Sequence, residues 1–231
     1  MSLSPEECTT IFLSLRVALL ATLICFPIGL SLAWLLARKD FWGKSLLNSL
    51  IHLPLVLPPV VTGYLLLIAF GKKGVIGAFL EQTFGLVFAF RWTGAALAAA
   101  LMALPLMVRA IRLSIESIDQ RLEGAAATLG ASPLKVFATV TLPLAAPGIL
   151  AGTILTYVKA LGEFGATITF VSNIPGQTQT LSLAIYSLLQ TPEGDAAALR
   201  LILLSIALAL AALLVSELLA RRLTRRVTGT P

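Results

Sequence analysis

The chain is short of charge, of histidine and of cysteine. Asp, Glu, Lys and Arg make up 12% of its 231 residues, about half the share of a soluble domain, where roughly a quarter of the residues are charged. That shortage excludes an ordinary water-soluble fold. The single histidine, His52, has no other candidate ligand near it and is expected to be structural or interfacial, not part of a metal site. Two cysteines do not suggest a disulfide framework. Cys25 lies inside an apolar run and Cys8 precedes it, so both are expected as plain thiols. No paired acids, metal-ligand cluster, or Ser/Lys or His dyad falls at membrane depth, which argues against an intramembrane enzyme. The first apolar run is too long for a cleavable signal peptide and has no small-residue cleavage site before its basic end. Internal repeats and a polar pore stripe are missing too, which argues against a self-contained channel or secondary carrier.

What the chain has in quantity is apolar length. It is 58% hydrophobic, with a mean hydropathy of +0.94. About 20 apolar residues are needed to cross roughly 30 Å of hydrocarbon. Five runs qualify, at about 11–37, 48–70, 93–113, 141–163 and 199–220. The expected fold is therefore all-α, a polytopic helical membrane protein with one domain over 1–231. Residues 71–92 form a Gly-rich connection with an apolar middle, expected as a short interfacial helix. An amphipathic piece covers Leu181 to Gln190. The net charge of +6 does not signal nucleic acid, because the basic residues sit at the ends of the spans.

Those basic residues set an orientation. With the N-terminus outside, eleven fall on the inner side: Arg38, Lys39, Lys44, Arg109, Arg112, Arg121, Lys135 and the four arginines between 221 and 226. Five fall on the outer side: Lys72, Lys73, Arg91, Lys159 and Arg200. The positive-inside rule then predicts N-out, C-in and places residues 121–140 in the cytoplasm.

That loop, continued to Pro147, is the most organised interval between the apolar runs. Leu122, Ala125, Ala126 and Leu129 recur at helical spacing. Gly130 can end the helix in a left-handed conformation. Ser132 followed by Pro133 reads as an N-cap and first helical residue. The prediction is a short helix, a sharp turn, and a helix leading into the membrane. From spacing alone two readings stay open: a helix lying against lipid or its own bundle, or a surface of small side chains that lets another backbone come close.

Gly124-Ala125-Ala126, Gly130, Val140 and Leu142-Pro143 resemble a loop motif of the permease subunits of ABC importers: Glu-Ala-Ala, three residues, Gly, nine residues, Ile, any residue, Leu-Pro. Two positions depart from it. Gly124 stands at the Glu position, with Glu123 one residue early, and Val140 replaces Ile. The resemblance implies the type I importer permease fold, with this loop as the coupling helix that enters a groove of an ATPase subunit. Glu123, Gly124, Ala125, Ala126, Leu129, Gly130 and Pro143 are the expected coupling residues.

Leu53-Pro-Leu-Val-Leu-Pro-Pro-Val-Val-Thr-Gly-Tyr64 is the most unusual membrane stretch. Each Pro removes a backbone donor and frees a carbonyl that needs a partner in protein or in a wet cavity. Broken helices at depth line transport paths, or the prolines simply kink the bundle. With Gly162-Glu-Phe-Gly-Ala-Thr-Ile-Thr-Phe170 and the coupling loop, this stretch resembles the molybdate ABC transporter permease (ModB) family over most of the chain. Sulfate, tungstate and thiamine importers share the coupling motif, so that motif fixes the class and not the cargo. Pro58, Pro59, Thr62, Gly63, Glu163 and Gly165 are the expected pathway residues. Glu163 has a blander reading as the partner of Lys159 at an outer helix end.

The resemblance further implies a bacterial inner-membrane protein, a second copy of the permease, an ABC ATPase dimer inside and a periplasmic binding protein outside. ATP and Mg would belong to the ATPase, with no cofactor in this chain. Gly43-Lys44-Ser45 looks like the tail of a P-loop, but Arg38 stands where that motif needs Gly and no strand precedes it. Gly148 to Gly152 has the small-xxx-small form of close helix packing, either within one subunit or at a dimer seam.

Overall fold

The computed structural model of the chain describes residues 4–228. The described residues contain helices and no strand. Helix α1 (Pro5–Arg38) starts at a capping box: Ser4 Oγ accepts from the Glu7 amide, and the Glu7 carboxylate accepts from the Ser4 amide. At 1.5 Å per residue its 34 residues reach about 51 Å, well beyond the hydrocarbon. Helices α2 (Lys44–Val56) and α3 (Pro59–Phe70) follow, then the short α4 (Val75–Phe84) in the Gly-rich connection. The central helix is α5 (Trp92–Glu116). Beyond it come α6 (Gln120–Thr128), α7 (Pro133–Val136), a π-helical turn (Phe137–Thr141) and α8 (Leu142–Leu161). The chain closes with α9 (Gly165–Val171), α10 (Leu181–Leu188) and α11 (Asp195–Thr228).

Among the described residues, four stretches are each long and apolar enough to cross a membrane: Pro5–Arg38, Trp92–Glu116, Pro133–Leu161 and Asp195–Leu219. The run expected as a single span over 48–70 is instead two helices with a 112° bend between them. Consecutive prolines explain the break. A residue before proline is pushed out of the helical region, and both Leu57 (ψ 143°) and Pro58 (ψ 132°) are extended. Pro59 then opens α3, where a missing N–H costs nothing.

Contacts fix the direction of every crossing. Arg16 lies 3.8 Å from the Trp92 ring centroid, Cys25 Sγ donates to the Ala100 carbonyl at 3.2 Å, and Arg38 donates to the Ile118 carbonyl at 3.3 Å. Both numbers rise together, so α1 and α5 run parallel. Gly148 lies against Ser114 and Gly152 against Ala110, so α8 runs antiparallel to α5. Arg200 binds Glu7 at 2.9 Å, which places the starts of α1 and α11 at one end of the bundle, here the Glu7 end. Asn48 of α2 meets Arg112 near the end of α5, and Phe70 of α3 meets Phe88 just before α5. Despite its bend, the α2–α3 pair carries the chain from the Arg38 end back to the Glu7 end. The described residues thus traverse the bundle five times, counting the bent α2–α3 pair as one crossing. The side chains of Arg221, Arg222, Arg225 and Arg226, part of the inward charge count, lie outside the described residues.

The core is built from small side chains. Ala95, Ala96, Ala98, Ala99, Ala100 and Ala103 of α5 are buried against Val17, Ala18, Ala21 and Cys25 of α1 and against α8. A Cβ on Gly148 would collide with the Ser114 side chain. The Gly148–Gly152 motif therefore packs within the subunit, and small faces of this kind let helices approach without polar glue. Cys8 and Cys25 are both free thiols.

Candidate coupling segment and broken-helix junction

The loop from Asp119 to Thr141 folds as its residues dictate. Asp119 caps α6, its carboxylate accepting from the Arg121 amide at 2.9 Å. Gly130 ends that turn at φ 85°, a left-handed conformation that costs Gly little and other residues more. Ser132 caps α7 through the Lys135 amide, with Pro133 in the first turn. The π-helical turn then adjoins Pro143. A proline cannot donate to the carbonyl four residues back and its ring crowds that carbonyl; here the Leu142 amide reaches five residues back to Phe137 instead.

No residue of α6 is buried. Leu129 is 89% exposed and Leu134 77%. With Leu122 and Ala125 they form an apolar face on a segment held at the Arg38 end. Ala126 is half-buried. A Cβ on Gly124 would meet nothing within 4 Å, and the same holds at Gly130. Gly130 is thus required by conformation, and Gly124 by neither space nor conformation.

Glu123 separates from the other expected coupling residues. It turns inward. Its Oε2 lies 2.9 Å from Arg38 Nε, and its Oε1 accepts from Thr141 Oγ1 at 2.6 Å. Arg38 and Glu123 side chains are 8% and 18% exposed. Arg38 also donates to the Ile118 carbonyl at the end of α5. One carboxylate therefore joins α6 to the end of α1 and to the π-helical turn, so α6 is braced from behind while its outer face stays bare.

The second set of expected residues meets at the junction of α3 and α9. A Cβ on Gly63 would lie 2.5 Å from the Ala166 carbonyl oxygen and 2.9 Å from Thr169 Cβ. A Cβ on Gly165 would lie 2.7 Å from Pro59 Cβ. Gly63 and Gly165 thus let two short helices touch backbone to backbone. Thr62 is 3% exposed and its hydroxyl has no hydrogen-bond partner. Pro58 lies exposed at the break itself. Glu163 is 4% exposed and belongs to this junction: its Oε1 accepts from the Ala166 amide at 3.0 Å, and Lys159 lies 3.5 Å away. The Lys159 pairing expected of it is present, with the carboxylate buried and tied to the start of α9.

Spacing along the chain did not reveal the partners of Glu123 or of Glu7. Arg38 is 85 residues from Glu123 and Arg200 is 193 from Glu7. The only signal was the presence of an acid and a base at helix ends that the topology brings together.

Residues 26–225 match the family model described as binding-protein-dependent transport system inner membrane component. The chain is 58% identical over 221 residues to the molybdenum transport system permease protein ModB of Escherichia coli (strain K12), covering 96% of each chain. Among solved structures it is similar to a chain of a bacterial ABC transporter involved in the import of the acidic polysaccharide alginate. That match has a TM-score of 0.76 at 21% identity and covers 95% of this chain and 80% of the other. An inward-facing structure of the MetNI methionine ABC transporter matches with a TM-score of 0.73 at 16% identity, covering 96% of this chain and all of the other. These two structural likenesses are of fold.

Proposed function

The chain belongs to the binding-protein-dependent transport system inner membrane component family, and on that premise we propose that it is the membrane-spanning subunit of an ABC importer for molybdate. The observation that carries the cargo is the whole-length likeness to a molybdenum transport permease. Two copies of the chain would enclose the path. A binding protein would deliver the oxyanion at the Glu7 end, and an ATPase dimer, which holds ATP and Mg, would sit at the Arg38 end. The basic residues gathered at the Arg38 end support that end as the cytoplasmic one.

The chain's own part in the cycle is mechanical. The outer face of α6, with Ala125 and Leu129 exposed and Ala126 half-buried, enters a groove of the ATPase. A contiguous exposed apolar surface on a water-facing segment marks a partner. Closure of the ATPase dimer on ATP displaces α6. The Glu123 carboxylate passes that displacement to α1 through Arg38 and to the π-helical turn through Thr141. The α3–α9 junction, where the α2–α3 span is broken, lies beside the path. Its freed carbonyls and the unpartnered Thr62 hydroxyl hold water, and nearby Gly N–H groups can donate to a passing oxyanion.

The test is uptake of radiolabelled molybdate, tungstate and sulfate by proteoliposomes holding the permease, its ATPase and the binding protein. Molybdate uptake that needs ATP and the binding protein is the expected result. Uptake of sulfate alone would reassign the cargo, and uptake without ATP would remove the chain from this class.

A further inference from the structure

At the Arg38 end, between α2 and α5, lies a cavity of about 340 Å³ lined by Asn48, His52, Arg109, Arg112, Leu113 and Glu116. Two helical stripes face each other across it. Asn48 and His52 are four apart on α2, while Arg109, Arg112 and Glu116 recur at helical spacing on α5.

The hydrogen-bond inventory of this cavity is unbalanced. Glu116 is matched to Arg112, whose Nε lies 2.7 Å from Oε1. Arg112 Nη1 also donates to Asn48 Oδ1 at 3.0 Å, which leaves the Asn48 amide as a donor. His52 Nδ1 lies 2.8 Å from the Asn48 carbonyl. A carbonyl only accepts, so Nδ1 carries the hydrogen. Arg109 is exposed and has no acid partner among the described residues. Two guanidinium groups face one carboxylate, so the cavity is positive and offers more donors than acceptors. A tetrahedral oxyanion, all acceptor and doubly charged, is the ligand chemistry that such a set completes.

We propose that this cavity holds the oxyanion at the cytoplasmic end of its path, with Arg109 as the principal ligand and the Asn48 amide and Arg112 beside it. The proposal rests on the oxyanion-import reading above. A lipid phosphate offers the same chemistry. The free oxyanion is favoured because His52 lies on the same broken span as Pro58, Thr62 and Gly63, displaced toward the Arg38 end. On that span the junction residues lie nearer the Glu7 end and this cavity lies nearer the Arg38 end.

The test uses the permease–ATPase complex in phosphatidylcholine nanodiscs, without nucleotide or binding protein, and measures equilibrium binding of radiolabelled molybdate. Wild type should bind. Arg109→Ala should weaken binding about ten-fold or more, the scale of a lost charge-assisted hydrogen bond, and Arg109→Lys should recover part of it. Lys72→Ala, at the opposite end, should change nothing. No binding by wild type, or equal binding by Arg109→Ala in a complex recovered intact, overturns the proposal. Repeating the measurement with added phosphatidylglycerol, with retained lipid read by native mass spectrometry, separates the two phosphate-like sources. Lipid lost on Arg109→Ala with molybdate binding unchanged would assign the cavity to a headgroup and overturn it. Uptake distinguishes the two readings: normal wild-type molybdate import with no Arg109-dependent binding sinks only the cavity, whereas absent oxyanion import by wild type sinks the importer reading itself.

Discussion

Gly130 and Gly63 stand in two regions that use glycine for opposite reasons. In the coupling segment the space around the missing Cβ is empty at Gly124 and Gly130, and only the positive φ of Gly130 requires the residue. At the α3–α9 junction no positive φ is involved, and Gly63 and Gly165 are required because another backbone or ring occupies the place of a side chain. One region leaves space beside its glycines. The other is closed, with α3 and α9 in direct contact. Substitutions tolerated in the first should be damaging in the second, and the contrast can be tested directly.

The largest effect is expected where the open region is tied to the bundle. Glu123→Ala strands Arg38, 8% exposed, without its carboxylate. Removing one partner of a largely buried pair costs about 3 kcal/mol. Thermal unfolding of the purified permease should fall clearly below wild type, with uptake lost. An unchanged melting point would mean that the ion pair does not brace α6.

Gly63→Ala should come next. The added methyl meets the Ala166 carbonyl, and overpacking of this kind costs about 1–3 kcal/mol. Gly63→Leu should abolish uptake and also lower stability. A fully stable Gly63→Leu protein would show that the two helices do not touch.

Ala126→Glu in the open region should leave stability alone and act on coupling. An unpaired charge in a fitted groove should weaken the link between ATP hydrolysis and uptake about five- to 150-fold. Both rates are measured in the same proteoliposomes, with complex recovery checked by gel filtration. A variant that assembles and transports at the native rate would remove α6 from the coupling role.

The smallest effect sharpens the comparison from the other side. Gly124→Glu, which supplies the residue usual in the family, adds a side chain where nothing lies within 4 Å and replaces a poor helix former, a gain of at most about 1 kcal/mol. Uptake and melting temperature at or slightly above wild type are expected. A loss comparable to that of Gly63→Ala would erase the distinction between the two regions.

Much of the fold was legible because membrane helices announce themselves by length and apolarity. Four runs became helices close to where the sequence placed them, and α6, Gly130 and Ser132–Pro133 fell into the expected helix, turn and helix. These are local signals. The sequence also flagged the prolines of 53–64, yet it did not reveal that Pro58 and Pro59 turn the run through 112°, because a proline pair fixes a break and packing fixes its angle. Glu123 looked like one more residue of an exposed motif. Its inward turn depends on Arg38 and Thr141, which only the tertiary fold brings close. The contact of Gly63 with Ala166 was hidden for the same reason: a glycine shows that a neighbour could come near, not which one does.

Helix α1 is anchored by an acid–base pair near each tip, Glu7 with Arg200 at one and Arg38 with Glu123 at the other. The 31 residue steps from Glu7 to Arg38 amount to about 47 Å of continuous helix, interrupted in its bonding only at Pro27. Such an element behaves as a connecting rod. A sideways push on its Arg38 tip, with both pins intact, must appear as tilt, axial rotation or flexing at Pro27, and the Glu7 tip carries the start of α11 along with it. If α6 docks on an ATPase as proposed, spin labels on residues flanking Glu7 and Arg200 should therefore move as a pair when nucleotide binds.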